Sequence, residues 1–518
     1  MDEDGGFGQS RRDFVGGTLA VMAGGGLAGT ARAAGAESFA LPQRYEAEVR
    51  DCAVVGKLPS DLNGAFVRLG GEWYYPPKFP DDAPLNTDGY ISMFRFRNGR
   101  CDYRGRFVRT ERFANNLKAG RQLYGYYRNA HTDDPSVRDV GHPARRTVSN
   151  TMPHVFAGKL LTLKEDGLPY EIDPLTLETR GTWDFHGEYR SQTHTAHPKV
   201  DPVSGEMVTY GYEATGPATK DVFVYTIGRD GHVKREVRFR VPYVSIMHDI
   251  ALTQKHIVFP FACYVTSPER LAEGKVHWGW DATKPSMIGI LPRDGDARDL
   301  RWFAGPERCM MHTANARTEG NKVILEAPFW DGNFFPFFPN ADGSPWARDR
   351  AKAYIRRYVF DLDRKDDRWR EETLFPAPVV DLARIDGRWL TLDQRYVYTG
   401  FTDAAAPYDV ARGGNMRGRV TNKYGRFDLK TGKVDAYFAG DVHSLQECCF
   451  VPRRGSTAEG DGYLIGVASN YAEMRSELVI ADAQRLGEGD IARVILPFRA
   501  GPQVHGIWVN EGEVPLPA

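Results

Sequence analysis

Four of the thirteen histidines stand in short settings of apolar or small residues that read as strands or strand ends. They are His197 in THTAHPKVDP, His248 in VSIMHDIALT, His312 in CMMHTANA and His505 in PQVHGIWV. A neutral imidazole offers one ring nitrogen to a metal and its other ring N–H to an acceptor, so such histidines are candidate ligands. Taken singly, each reads more readily as a satisfied core residue, and four in similar settings weaken that reading. They lie 51, 64 and 193 residues apart, close to one, one and three lengths of a repeating unit of roughly 50 to 65 residues. Residues this far apart can share one ion only if strands from different units converge on a common axis. His194, three residues before His197, would face the opposite way on a regular strand and is left out of the set.

The elements that would carry these histidines are hairpins. An apolar strand, a turn built on Asp with Gly, Pro or Thr, and a second strand recur in YEIDPLTLETRGTWDF, HPKVDPVSGEMVTYGY, VYTIGRDGHVKREVRF, VFDLDRKDDRWREETLF and GRFDLKTGKVDAYF. Alternating side chains on both arms, with turn chemistry between them, predict antiparallel hairpins. Repeated hairpins without a long amphipathic helix between them predict an all-β chain, arranged radially as a β-propeller of four-stranded blades. Two β-sandwiches are the alternative. No linker divides residues 37–518, which read as one domain. Residues 111–129 and the aromatic stretch APFWDGNFFPFFPN, 327–340, break the rhythm and read as insertions over one face, where function concentrates.

The chain has 518 residues, with 67 Lys plus Arg against 68 Asp plus Glu. The net charge of −1 leaves no basic excess for a phosphate backbone or an anionic membrane, which argues against both as partners. Six cysteines without a CxxC spacing argue against a zinc ribbon or a disulfide scaffold. Residues 1–36 place Arg11 and Arg12 before a weakly apolar Gly/Ala-rich run and then small residues, an order that predicts a twin-arginine export signal and periplasmic delivery. A tail on a cytoplasmic protein is the alternative. The apolar run, Val15 to Gly29, is short for a spanning helix.

The four histidine motifs, in order, resemble those of the carotenoid cleavage oxygenase family. So do LNGAFVRLGG, TDGYISMFRFRNGRCDYRGRFVRTERF, NTMPHVFAGKLLTLKEDGLPYEIDPLTLET and ECCFVPR, and the likeness covers nearly all of residues 37–518. AGRQLYGYYRNAHTDDPSV and FFPFFPNADGSPW are similar to the bacterial branch that cleaves lignostilbenes and 4-hydroxyphenylpropenoids such as isoeugenol. The resemblance implies a seven-bladed propeller with a helical and loop cap over a non-haem iron(II) held by His197, His248, His312 and His505. It implies three carboxylates behind the ligands: Glu165, Glu447 and, where the family has a third glutamate, Asp381. Being one methylene shorter, Asp381 is expected to reach its imidazole through water or to shift it. In the stilbene-cleaving branch a tyrosine and a lysine recognise the substrate's 4-hydroxyl. The matching positions here are Tyr90 and Arg121, with Lys118 favoured by a small register change.

The function expected is an O2-dependent oxygenase that splits an alkene conjugated to an aromatic ring into two carbonyl products. Its substrate would be a lignostilbene, resveratrol or isoeugenol type, with an apocarotenoid as the alternative. Phe329, Trp330, Phe334, Phe335, Phe337 and Phe338 are candidates for an aromatic channel, with core packing as the other reading. Two other classes stand beside this one. A propeller used as a binding scaffold would hold no stoichiometric iron. A calcium-dependent propeller hydrolase would want carboxylate and amide ligands on the axis, where this chain offers imidazoles.

Overall fold

The computed structural model describes residues 44–517 apart from Arg417 and Arg419. The segment read as an export signal, residues 1–36, lies outside the described residues. Each of the five hairpin sequences forms a hairpin, and, apart from one two-stranded pair, the described strands gather into seven antiparallel sheets arranged as the blades of a propeller.

Blades two to five run outward from the axis in chain order. Their innermost strands are Met152–Phe156, Lys199–Val200, Ala251–Leu252 and Asn315–Glu319. Blade six consists of Tyr396–Phe401, Lys423–Asp428 and Val434–Phe438, and a bridge from Arg384 to Tyr398 supplies its inner position. The innermost strand of blade seven is His443–Pro452, and that of blade one is Gln503–Asn510.

Two exchanges of strands close the ring. The late strand Gln503–Asn510 pairs with the early strand Gly64–Glu72, setting Leu69 opposite His505. The early strand Ala53–Gly56 pairs with Asp490–Ile495 on the outer edge of blade seven. Neighbouring blades bury both faces of the strands between them, so Gly462–Asn470 is buried along its whole length and Lys322–Trp330 everywhere but its first residue. Outer strands keep the period-two alternation of a half-exposed sheet, as Arg100–Phe107 does.

Three segments cap one mouth of the ring. The first begins with the helix Glu111–Ala119, started by the Thr110 hydroxyl accepting from the Phe113 N–H at 3.2 Å and ended by Gly120 at φ +67°. The second includes the short pair Tyr264–Val265 and Gly279–Trp280. The third follows Trp330. They hold one another: the Asn129 amide donates to the carbonyls of Leu271 and Lys275 at 3.0 and 2.7 Å, and the Tyr264 hydroxyl donates to Asn333 at 2.8 Å. The insertion expected over 327–340 is displaced: residues 327–330 complete the blade-five strand Lys322–Trp330, which pairs with Ala353–Asp361 over its full length, and the excursion starts at Asp331. Apolar alternation could not separate the end of that strand from the aromatic loop it enters.

Arg68, fully buried in Gly64–Glu72, joins the closing blades by donating to the carbonyl oxygens of Gln503 and Glu447. Arg68→Leu strands both acceptors in the core, and charged hydrogen bonds of this kind contribute about 1.5 to 3 kcal/mol. The variant is expected to lower stability by roughly that amount, read from the shift of its urea midpoint against wild type.

Candidate metal centre

Each blade sends one side chain toward the axis at the capped mouth. His197, His248 and His312 stand just ahead of the inner strands of blades three, four and five, and His505 is on the inner strand of blade one. The pairing of Gln503–Asn510 shifts register beside His505, between Leu69 and Gly70, a bulge that re-aims the side chain. His197 Nε2 lies 3.0 Å from His248 Nε2, which lies 3.2 Å from His312 Nε2. One ring nitrogen from each of the four histidines falls within 4.8 Å of the others.

The remaining three blades supply carboxylates. Glu165 follows the second strand of blade two, Asp381 precedes the bridge of blade six, and Glu447 sits on the inner strand of blade seven where its register shifts between Leu445 and Cys448. His505 Nδ1 donates to Glu447 Oε1 at 2.8 Å. His248 Nδ1 lies 3.5 Å from Glu165 and His312 Nδ1 lies 3.2 Å from Asp381, both turned off the line of a full hydrogen bond. Of the two expectations for the shorter Asp381, a bridging water or a shifted imidazole, the 3.2 Å separation leaves no room for the water, and the imidazole is turned off the hydrogen-bond line. No carboxylate pairs with His197 among the described residues.

These contacts decide whether the residues suit a cation. Carboxylates at Nδ1 select the Nδ1–H tautomer, so the converging Nε2 atoms present lone pairs. Two lone pairs 3.2 Å apart repel, and His505 Nε2 is buried without any hydrogen-bond partner. Protonation does not relieve this. Burial, reinforced by the neighbouring histidines, pushes His197 well below the ordinary imidazole pKa, and burial holds His505 at about 3 against the pull of Glu447. Burial would raise Glu447, but Arg384 and His505 outweigh it and hold the carboxyl at about 2. Arg384 Nε and one of its terminal nitrogens each donate to Glu447 at 2.9 Å. The donor set fits a divalent transition metal that accepts nitrogen ligands.

A belt beneath the histidines fixes their register. Lys199 Nζ, two residues after His197, lies 2.6 Å from Asp249 Oδ1, one residue after His248. Asp249 Oδ2 accepts from the backbone N–H and hydroxyl of Thr313, one residue after His312, both at 2.8 Å. Sequence reading missed this belt, although its signal was present: a hydrogen-bonding side chain follows each of the three candidate ligands within two residues.

The expected substrate-recognition residues are not at this centre. Arg121 is exposed and paired with Asp134 at 2.7 Å, and Lys118 is exposed on the helix. The Tyr90 ring packs edge-on to Phe107 at 5.1 Å, its hydroxyl lies over Gly105 beside Tyr103, and only its backbone carbonyl meets Gln503. The cation beside the Glu165 arm of the centre is Lys164, which is buried. Its Nζ is 4.0 Å from Glu165 Oε2 and 5.1 Å from the Tyr127 ring centre, while the Tyr127 hydroxyl donates to Glu165 Oε1 at 3.2 Å. Sequence reading singled out Glu165 and passed over the lysine before it; burial was the missing information.

Among the aromatic candidates, Trp330, Phe334, Phe335 and Phe338 share one buried cluster with Tyr127, and Phe337 packs against it. Phe329 points to the other face of its strand and stacks on Tyr358 at 3.9 Å, which makes it blade core. His194 lies outside the cluster because its own nitrogens are occupied, by the Thr195 carbonyl at 2.7 Å and the Thr209 hydroxyl at 2.8 Å. The segment around it is not a regular strand, so the reason differs from the alternation expected.

The family model described as retinal pigment epithelial membrane protein matches residues 40–510. The chain belongs to this carotenoid oxygenase family. Over 480 residues it is 37% identical to lignostilbene-alpha,beta-dioxygenase isozyme III of Sphingomonas paucimobilis, covering 92% of this chain and 97% of that protein. It is 38% identical over 472 residues to isoeugenol monooxygenase of Pseudomonas putida, covering 91% and 97%. The crystal structure of Pseudomonas brassicacearum lignostilbene dioxygenase superposes with a TM-score of 0.86 at 37% identity, covering 90% of this chain and 96% of that one. This carotenoid oxygenase is thus an alkene-cleaving enzyme on a seven-bladed propeller, with a histidine cluster fit for a metal.

Replacing His197, His248, His312 or His505 by Ala is expected to weaken Fe(II) binding at least about 100-fold, and Glu447→Gln by about 10- to 100-fold, the range for losing an imidazole's outer partner. His194→Ala is expected to keep the metal. Chelator competition followed by metal analysis reads all six proteins. Because the Glu447 carboxyl is held at about 2, below its ordinary 4.5, its stabilisation is full above pH 4.5 and is lost as pH falls toward 2.

Proposed function

We propose that this chain is an iron(II) oxygenase that cleaves the side-chain double bond of a 4-hydroxyphenyl alkene, of the stilbene or propenylphenol type, with O2 to give two carbonyl compounds. The observation that carries the reading is the buried pair Lys164 and Tyr127 at the end of an aromatic wall, next to the Glu165–His248 arm of the centre. A buried cation in apolar surroundings is unfavourable unless it meets an anion, and Glu165 at 4.0 Å is its charged partner among the described residues. A phenolate oxygen would complete that environment. The names of the relatives, which cite lignostilbene, isoeugenol and resveratrol, support the same substrate class.

Iron, once bound, would supply the redox chemistry with O2. His197, His248, His312 and His505 would hold it, and neutral imidazoles leave the ion its full positive charge. The chain's own residues do the rest. The wall formed by Trp330, Phe334, Phe335 and Phe338 excludes water and lays the conjugated alkene flat. Lys164 stabilises the phenolate, which pushes electron density through the ring onto the double bond. Burial, with Glu165 adding to it, raises the Tyr127 phenol well above its ordinary pKa, so it stays protonated and, by donating to Glu165, orients that carboxylate.

A charge-assisted hydrogen bond contributes about 1.5 to 3 kcal/mol, on the order of tenfold to a hundredfold in rate if it acts in the transition state. Iron-loaded enzyme is therefore expected to cleave resveratrol or isoeugenol about 10 to 100 times faster than the 4-methoxy analogues. Lys164→Met should erase most of that preference, whereas Arg121→Ala and Tyr90→Phe should leave it intact. Product identification and steady-state rates read the outcome; equal rates for hydroxy and methoxy substrates favour an apocarotenoid instead.

The same proposal includes export. Arg11 and Arg12 ahead of the Gly/Ala-rich run support twin-arginine delivery to the periplasm. Changing both to Lys is expected to keep the full-length protein in the cytoplasm, read by fractionation, and unchanged periplasmic delivery refutes the assignment.

A further inference from the structure

The three carboxylates behind the imidazoles are held in different ways. Glu447 is gripped by the Arg384 guanidinium and also accepts from the Gly506 N–H at 2.8 Å. Glu165 has Lys164 nearby and accepts from Tyr127. Asp381 has no cation among the described residues. Its Oδ2 accepts from the Trp330 indole N–H at 2.9 Å, and its Oδ1 accepts from the Leu382 N–H at 2.9 Å while lying 3.2 Å from His312 Nδ1. The Leu382 N–H comes from a residue at φ +77°, in the left-handed region that a non-glycine residue rarely adopts.

From this geometry we infer that Trp330 is a positioning residue, whose indole N–H holds the short Asp381 carboxylate against His312 and so sets that imidazole's grip on the metal. The inference rests on the reading of the four histidines as a metal centre. Oδ1 is shared between two donors and meets His312 off the hydrogen-bond line, so the plane of the carboxylate depends on what fixes Oδ2. Among the described residues the group found there is the indole N–H. Trp330 is itself held in two ways. Its backbone N–H donates to the Cys309 carbonyl at 2.7 Å and its carbonyl accepts from the Cys309 N–H at 3.1 Å, three residues before His312. Its ring stacks on Phe334 with centroids 4.4 Å apart and planes 18° from parallel. One side chain thus belongs to the aromatic wall by its ring and to the metal centre by its N–H.

The two contributions separate by substitution in the full-length protein. Trp330→Phe keeps an aromatic ring against Phe334 and removes the N–H; Phe334→Leu disturbs the stack and leaves the N–H. Fe(II) and Co(II) affinities are measured by chelator competition, and the Fe(II) site is compared by electron paramagnetic resonance of its nitric oxide adduct. Trp330→Phe is expected to bind both metals 10- to 100-fold more weakly and to alter the resonance, whereas Phe334→Leu retains wild-type values. In an Asp381→Asn background, Trp330→Phe should add little, since the indole acts through the carboxylate. If Trp330→Phe does not fold, Trp330→Gln and Trp330→Leu replace it, because both remove the ring and only Gln can donate to Asp381. Equal affinities within either pair, or a full Trp330→Phe effect on top of Asp381→Asn, overturn the inference. Failure of the wild-type protein to bind either metal overturns the metal-centre reading instead.

Discussion

Lone pairs on imidazole nitrogens brought within 4.8 Å of one another repel, and this repulsion is the condition that the structure is built around. A cation offsets it only if each nitrogen presents its lone pair, which requires a proton on the opposite side of the ring and an acceptor for that proton. For His505 that acceptor is Glu447, for His248 and His312 a carboxylate stands within 3.5 and 3.2 Å off the hydrogen-bond line, and each carboxylate is anchored in turn: Glu447 by Arg384, Glu165 by Tyr127 and Lys164, Asp381 by Trp330. Polarity therefore extends outward in shells from an axis that a propeller of apolar blades would otherwise leave undefined.

The propeller meets the condition by division of labour. Seven blades bring seven strand ends to one mouth, and each contributes one side chain, four imidazoles and three carboxylates. No single blade carries a recognisable site. The belt of Lys199, Asp249 and Thr313 ties three neighbouring blades together just below the ligands, so their relative heights are fixed by hydrogen bonds as well as by blade packing. Two of the seven groups stand at register shifts, His505 beside Leu69 and Gly70 and Glu447 between Leu445 and Cys448. Regular pleating gives a strand two directions only, and a bulge supplies a third.

What could be read in the sequence follows what is local. The hairpins are legible because turn residues and alternation act over a few positions, and the histidines because their spacing tracks blade length. The three carboxylates came from likeness to a family, since nothing near Glu165 or Asp381 marks them as facing an axis. Tyr90 and Arg121 misled because they occupy suitable places along the chain while their side chains turn to other partners, Phe107 and Asp134. Lys164 went unnoticed because a lysine in a turn sequence is ordinarily solvated, and only the packing of the cap segment onto blade two buries it. Side-chain direction is a property of tertiary packing, which motif spacing does not carry.

The closing strand gives the chain an order in time. A ribosome delivers His197, His248 and His312 well before His505, and His505 is on the strand that must slot between blade seven and the early strand Gly64–Glu72. The fourth histidine thus joins the others only when the strand that closes the ring has been made and paired. A nascent chain with three of the histidines in place has neither a closed ring nor the complete donor set, so closing the ring and completing the site are one event.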